Sequence, residues 1–233
     1  MNDLSGLTGE LAGFSGVAPL FPLPDFVMFP QVTQPLHIFE SRYREMVADV
    51  LRGDRLIALG TLKPGWESLY ETKSAPVWTD ICLGRVMVDK QQEDGRYLIL
   101  LRGLCRARIK AERLAKTSYR QVELQLQFDH YPAEAAILRD RRRLELLENL
   151  VSAAPGFDAN REATDSAIRD LPLGVLCDLI ASTVKLSSEQ SMSLLREANV
   201  DLRTDLLLEI LRARQREGGE LPPRRYPPEF SEN

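Results

Sequence analysis

The residues that could do chemistry in this chain are few. His37 and His130 are its only histidines, and Cys82, Cys105 and Cys177 its only cysteines. The cysteines lie far apart and form no C-x-x-C pair. That spacing excludes a disulfide scaffold and a cysteine-based zinc site, and it fits a reducing compartment. Two distant histidines among scattered carboxylates read as structural positions rather than metal ligands. No G-x-x-x-x-G-K-[ST] phosphate loop, no strand–G-x-G-x-x-G–helix, no H-E-x-x-H and no G-x-S-x-G elbow occurs. Lys185 stands close to Ser187 and Ser188, but those serines are accounted for as helix caps. We therefore expect no catalytic residue, no metal and no cofactor. The densest basic cluster is Arg139, Arg141, Arg142 and Arg143. Steps of about 100° per residue scatter these around a helix, which suits a solvated face paired with Glu145 and Glu148 better than a phosphate groove.

The elements that must position any site follow from periodicity. Residues 1–17 hold Gly6, Gly9, Gly13 and Gly16, and read as a flexible leader. Residues 217–233 hold Gly218-Gly219 and two Pro-Pro pairs, and read as a disordered tail. Between them the character changes near Tyr131-Pro132. Before it, Val122, Leu124, Leu126 and Phe128 alternate with polar residues, Leu56 to Leu62 is a short apolar run, and Val86 and Tyr97 flank an Asp94-Gly95 hairpin turn. One helix is inserted among these strands over Ile38 to Leu51, where Phe39, Tyr43, Met46, Val47, Val50 and Leu51 recur at helical spacing, Phe39, Tyr43 and Met46 marking its buried face. Glu40 and Arg44, four apart, are expected to meet at its edge. After Pro132 the period is helical over Glu134–Ser152, Leu173–Val184 and a stretch opened by a Ser187–Gln190 capping box. Asp201 is expected to cap the last helix.

The chain has 233 residues and a formal net charge of -4, with 44% hydrophobic and 27% charged residues. That composition is globular. The acidic balance argues against a nucleic-acid coat. No apolar run reaches the roughly 18 residues of a membrane span. No Lys or Arg precedes Arg42, so no secretory signal is expected. A cytoplasmic protein without membrane or nucleic-acid partners follows.

Its richest stretch is "PLFPLPDFVMFP" at residues 19–30, continued by "PLHIFESRYREMV" at 35–47. The pair closely resembles the opening of the Lon amino-terminal, or substrate-binding, domain family. "DGRYLILLRGLCRARI" (94–109), "SYRQVELQLQF" (118–128) and residues 171–214 are similar to later parts of that family in the same order. Gln31-Val32-Thr33 departs from the family, which usually has a glycine soon after the proline, and Ser41 stands where proline is common. Residues 61–80, with Trp66 and Trp78, carry no part of the resemblance.

The resemblance implies an α+β fold: a PUA-like β-barrel with an inserted helix over residues 18–131, then an α-helical bundle over 132–216. It implies a free-standing, non-enzymatic protein-binding module that lacks the Lon ATPase and protease modules. Its partners would be unfolded or exposed polypeptide segments. The matching segment makes Glu40, Arg42 and Arg44 the peptide-binding candidates. The alternative is RNA binding, since PUA-like barrels elsewhere bind RNA. The net charge of -4 and 7% aromatic content stand against it. The sequence assigns no oligomeric state.

Overall fold

The computed structural model describes residues 9–153 and 170–216. The expected tail, residues 1–8 of the expected leader and Pro155-Gly156 lie outside them. The chain divides between Gln127 and Phe128 into two compact units, just ahead of the Tyr131-Pro132 step. Strands fill the first and helices the second, an α+β arrangement.

The first unit is a mixed sheet of β1 (Val17–Leu23), β2 (Thr33–Ile38), β3 (Leu56–Thr61), β4 (Asp80–Gln91), β5 (Tyr97–Arg113) and β6 (Arg120–Gln127). The strands run in the order β2-β5-β4-β3-β1-β6, and β6 also pairs with β5. Five strands thus close into a ring, with β2 attached outside it. Ala18 and Leu20 from β1, Leu56 and Ala58 from β3, Ile81 and Leu83 from β4, and Val122 and Leu124 from β6 share one buried cluster. Their alternate spacing is the period of a strand that buries one face. β5 contributes the adjacent Leu104 and Cys105 to the same cluster. Leu83 faces Cys105 while Gly84 faces Gly103, so Leu104 is the extra residue of a bulge.

The prolines of β1 are placed by one-sided pairing. Pro19 lies opposite Gln121 in the β6 half of the strand, and Pro22 opposite Gly60 in the β3 half. Each has a single neighbour, so its missing N–H can face the unpaired side. After β1 the chain turns back at Gln31, whose φ is 61°. The Gln31 amide donates to the Gly103 carbonyl at 2.8 Å. A Cβ on Gly103 would collide with the Phe29 carbonyl, which fixes glycine there.

Two expectations need correction here. Residues 9–17 are not a flexible leader: Leu11 and Phe14 pack against the ring cluster, and Val17 already opens β1. The inserted helix, α1 (Ser41–Arg52), begins later than its periodicity predicts. Ile38 ends β2, so Phe39 precedes the helix and is 38% exposed.

The second unit holds α2 (Arg139–Ala153), preceded by a 3-10 turn at Ala133–Leu138, and then α3 (Leu173–Thr183), α4 (Ser188–Arg196) and α5 (Val200–Arg216). The Ser187–Gln190 capping box opens α4 with both reciprocal bonds. The α5 cap is Asn199, whose Oδ1 accepts from the Asp201 amide at 3.0 Å. Asp201 itself is buried and receives Arg139 and Arg142 from α2. Arg142 also reaches Asp205, and Arg212 reaches Glu145. These arginines therefore join helices, where sequence spacing had them pairing within one.

At the centre lies Arg203, with no exposed surface. It donates to Asp129 Oδ2 and to the Glu197 carbonyl, each at 2.8 Å. Its Nε lies 3.3 Å from Asp178 Oδ1, close as an ion contact but off the hydrogen-bond direction. Burial opposes the charge, but Asp178 and Asp129 outweigh it and raise the guanidinium above its ordinary pKa. Gly174 borders this cluster and donates its amide to the Tyr131 hydroxyl at 3.2 Å. A Cβ there would run into Asp129 Oδ2 and come within 2.7 Å of Arg203. Gly174→Ala should therefore cost about 1–3 kcal/mol by overpacking. Arg203→Ala, which strands two carboxylates, should cost about 3–5 kcal/mol. Thermal melts followed by circular dichroism check both, and a melting temperature unchanged in Gly174→Ala would refute the packing argument.

Candidate functional site

The N-terminal turn of α1 brings Glu40 and Arg42 together with a segment distant in sequence. The connection between β3 and β4 is pinched by a Leu62–Val77 bridge and by the Lys63 amide donating to the Pro76 carbonyl at 2.8 Å. Within it, a short 3-10 turn at Glu67–Leu69 presents Tyr70. The Tyr70 hydroxyl donates to Glu40 Oε1 at 2.7 Å, and its carbonyl accepts from Arg42 Nη1 at 2.8 Å. Arg42 Nε donates to Glu40 Oε2 at 2.9 Å. Nη2 lies 2.7 Å from the same oxygen as an ion pair without hydrogen-bond alignment. The guanidinium sits 4.7 Å from the centre of the Tyr43 ring and 4.8 Å from that of Tyr70. Cation–π contacts of this kind contribute about 0.5–2 kcal/mol each. Trp66 packs edge-on against Tyr70 with centroids 5.2 Å apart.

A small recess adjoins this cluster. Leu20, Pro22 and Leu62 give it an apolar lining, Tyr43, Tyr70 and Tyr119 an aromatic one, and Arg42, Lys73 and Arg120 a cationic one. Arg120 is held by Glu112 and by the Ala75 carbonyl. The Tyr119 hydroxyl donates to Asp49 at 2.8 Å. The Lys73 ammonium bonds the Thr117 carbonyl. Ser118 also lines the recess, and its hydroxyl donates to a Glu45 carboxylate oxygen. The cavity volume of the recess is about 10 Å³, room for about one water, and Arg42 and Arg120 in its wall are already paired with Glu40 and Glu112.

Of the three residues singled out by sequence, Glu40 and Arg42 form one unit and Arg44 does not join them. Arg44 lies instead against Gly95 in the β4–β5 turn, where φ is 80°. The expected Glu40–Arg44 pair is thus replaced by Glu40–Arg42–Tyr70. Glu40 caps the helix from extended backbone and is not on the helical face that four-residue spacing assumes. Sequence reasoning missed Tyr70, Tyr119 and Lys73. The aromatic pair Trp66 and Tyr70 in an otherwise polar connection was the available signal.

Burial pushes the Tyr43 and Tyr119 hydroxyls up to about 12 from 10.0, with Asp49 adding to the shift at Tyr119. Burial and the Glu40 carboxylate raise Tyr70 as well. The folded chain thus favours the neutral phenols. Their contribution to stability is complete below pH 10 and is lost as pH rises from 10.0 through about 12. Tyrosinate absorbance should show these phenols ionising later than free tyrosine, together with loss of structure. Ionisation of every tyrosine near pH 10 in folded protein would contradict the burial of this cluster.

The chain is similar to several known proteins. The Lon protease of Desulfosudis oleivorans is 28% identical over 196 residues, covering 79% of this chain and 22% of that protein. Lon protease 2 of Bdellovibrio bacteriovorus is 24% identical over 201 residues, covering 84% of this chain and 24% of its own. The chain therefore spans about a quarter or less of these relatives. Among solved structures, the N-terminal domain of Mycobacterium avium complex Lon protease superposes with a TM-score of 0.65 at 15% identity, covering 84% of this chain and 98% of that one. The Lon N-terminal domain protein from Xanthomonas campestris gives a TM-score of 0.57 at 22% identity, covering 83% and 97%. The family model described as the ATP-dependent protease La (LON) substrate-binding domain matches residues 17–213, and the chain belongs to that family.

Proposed function

We propose that this chain is a non-enzymatic module of the reducing cytoplasm that captures unfolded or exposed polypeptide segments. One observation carries the reading: the family match over residues 17–213 is to a substrate-binding domain, and it corresponds to 22% of the length of a Lon protease relative. Cys82, Cys105 and Cys177 are buried as thiols, which supports a reducing compartment. Among the described residues no helix is long and apolar enough to cross a membrane, and no cluster of candidate metal ligands occurs.

The first turns of α1 and the recess beside them are the proposed contact surface, with Glu40, Arg42 and Arg44 as its named residues. The clamp formed by Glu40 and the Tyr43 and Tyr70 rings holds Arg42 in place before any partner arrives, which lowers the ordering cost of binding. Arg44 is half-buried and supplies charge at the edge. Short-segment recognition of this kind gives a Kd on the order of micromolar, about −8 kcal/mol.

The purified chain should neither hydrolyse ATP nor cleave casein. Activity that follows the protein peak and disappears on changing one Ser, Cys or Lys would refute the non-enzymatic reading. At micromolar concentration it should slow the aggregation of reduced α-lactalbumin. Arg44→Ala should weaken that protection several-fold while moving the melting temperature by no more than a few degrees. Undiminished protection by a folded Arg44→Ala variant would remove this edge from the contact surface.

A further inference from the structure

We propose that residues 9–16 are a removable self-ligand seated in a polypeptide-binding groove at one end of the strand ring. That groove takes client segments of the same chemistry: a carboxylate, an apolar residue directly after it, and a second apolar residue three positions on. The proposal adds a second contact surface, apart from the first turns of α1, and rests on the polypeptide-capture reading for the identity of the client.

The occupant is short and anchored by side chains. Leu11 and Phe14 are partly buried against the ring cluster, while Ala12, Gly13 and Ser15 between and beside them are exposed. Glu10 forms an ion pair with Arg102, and its carbonyl accepts from Arg85. Arg85 faces Arg102 on the β4–β5 ladder and Leu56, the first residue of β3, on the other side. The segment therefore sits at the end where β1 and β3 begin. Its own turn is closed by the Ala12 amide on Gly9 and the Phe14 amide on Leu11, at 3.3 and 3.0 Å. Gly13 and Gly16 have φ of 86° and 85°, a conformation that lets the segment fold back over the ring.

Two observations mark it as an occupant rather than part of the ring. The family match starts at residue 17, so the ring belongs to the family and the segment lies ahead of it. The fit is also imperfect. Among the described residues, Glu10 Oε2, Arg85 Nε and Arg102 Nε are buried there without a hydrogen-bond partner. Buried polar atoms left unpaired cost free energy that a better ligand recovers. Tethering gives the segment an effective concentration on the order of millimolar, so a weak contact suffices to fill the groove. A client must compete with it, and its apparent affinity falls by the fraction of groove left open.

The test uses the full chain carrying Leu11→Asp and Phe14→Asp, which stops the segment from seating. A fluorescein-labelled peptide of residues 9–16 should bind this variant at least tenfold more tightly than the unaltered chain. Adding Arg102→Glu should cancel that gain. No gain in a cooperatively melting variant overturns the proposal. If the variant does not fold, hydrogen exchange in the unaltered chain decides. Saturating reduced α-lactalbumin should speed exchange of the Phe14 amide, and unchanged exchange overturns the proposal. Equal protection of α-lactalbumin by both chains without any peptide gain overturns the self-ligand but leaves polypeptide capture standing. Peptide gain without α-lactalbumin capture supports the groove and removes the general client reading.

Discussion

A ring of strands needs one member long enough to serve successive neighbours and bent enough to come round to them. β5, with 17 residues, is that strand. It pairs with β2 over Tyr97–Arg102, with β4 from Tyr97 to Arg108, and with β6 over Arg106–Arg113. Register shifts at Leu83/Gly84 on the β4 side and Ile109/Ala111 on the β6 side give it the local bends that closure requires. The candidate site depends on this strand. Its pairing with β2 delivers the chain into Glu40 and α1, and its turn with β4 sets Gly95 against Arg44. The ladder it forms with β6 holds Tyr119 and Arg120 close to the connection that carries Tyr70.

Each unit also encloses an arginine whose charge is satisfied by carboxylates and a backbone carbonyl. Arg203 has Asp129, Asp178 and the Glu197 carbonyl, whereas Arg42 has Glu40 and the Tyr70 carbonyl. The planar, permanently charged guanidinium suits such fixed forks better than an ammonium does. Replacing such clusters by well-packed apolar residues is often neutral or stabilising, so their presence is weak evidence for stability alone. What separates the two is access. The Arg203 side chain is fully enclosed, while that of Arg42 retains 16% exposure and adjoins a recess. The first holds helices in place. The second keeps its ion pair at partly exposed surface.

The elements legible in the sequence were those whose periodicity is local. Alternation marked β6, the Asp94-Gly95 step marked the β4–β5 hairpin, and Ser187 with Gln190 marked the start of α4. What could not be read depends on long-range partners. Glu40 and Arg44 have ideal helical spacing, yet Glu40 sits at the cap and bonds Tyr70, 30 positions away. Arg139 and Arg142 looked like a solvated face because their partners Asp201 and Asp205 lie about 60 residues on. Glycine density suggested a loose leader. The energetics of that segment are decided by Leu11 and Phe14, which find the ring cluster. Gln31 looked like a lapse from the family pattern until its left-handed backbone showed that the position keeps the geometry a glycine would adopt.

Both units commit cations to carboxylates, and the strand unit also sets some against neutral groups. In the helical unit, Arg139, Arg142, Arg203 and Arg212 are each spent on a carboxylate of a neighbouring segment. In the strand unit, Arg42, Arg55, Arg102, Arg108 and Arg120 are paired with carboxylates as well, while Lys73 meets a backbone carbonyl, Arg44 lies against a glycine, and Arg85 takes the carbonyl of Glu10. A cation bound to a neutral group keeps its long-range field, and one bound to a carboxylate largely loses it. Beside Glu10 the ring offers two cations, Arg85 and Arg102, in a chain whose formal net charge is -4. Such local complementarity acts mainly on encounter rate and partner choice, with tightness supplied by apolar burial. Acidic segments with closely following apolar residues satisfy both requirements, and Glu10, Leu11 and Phe14 already meet them from within the chain.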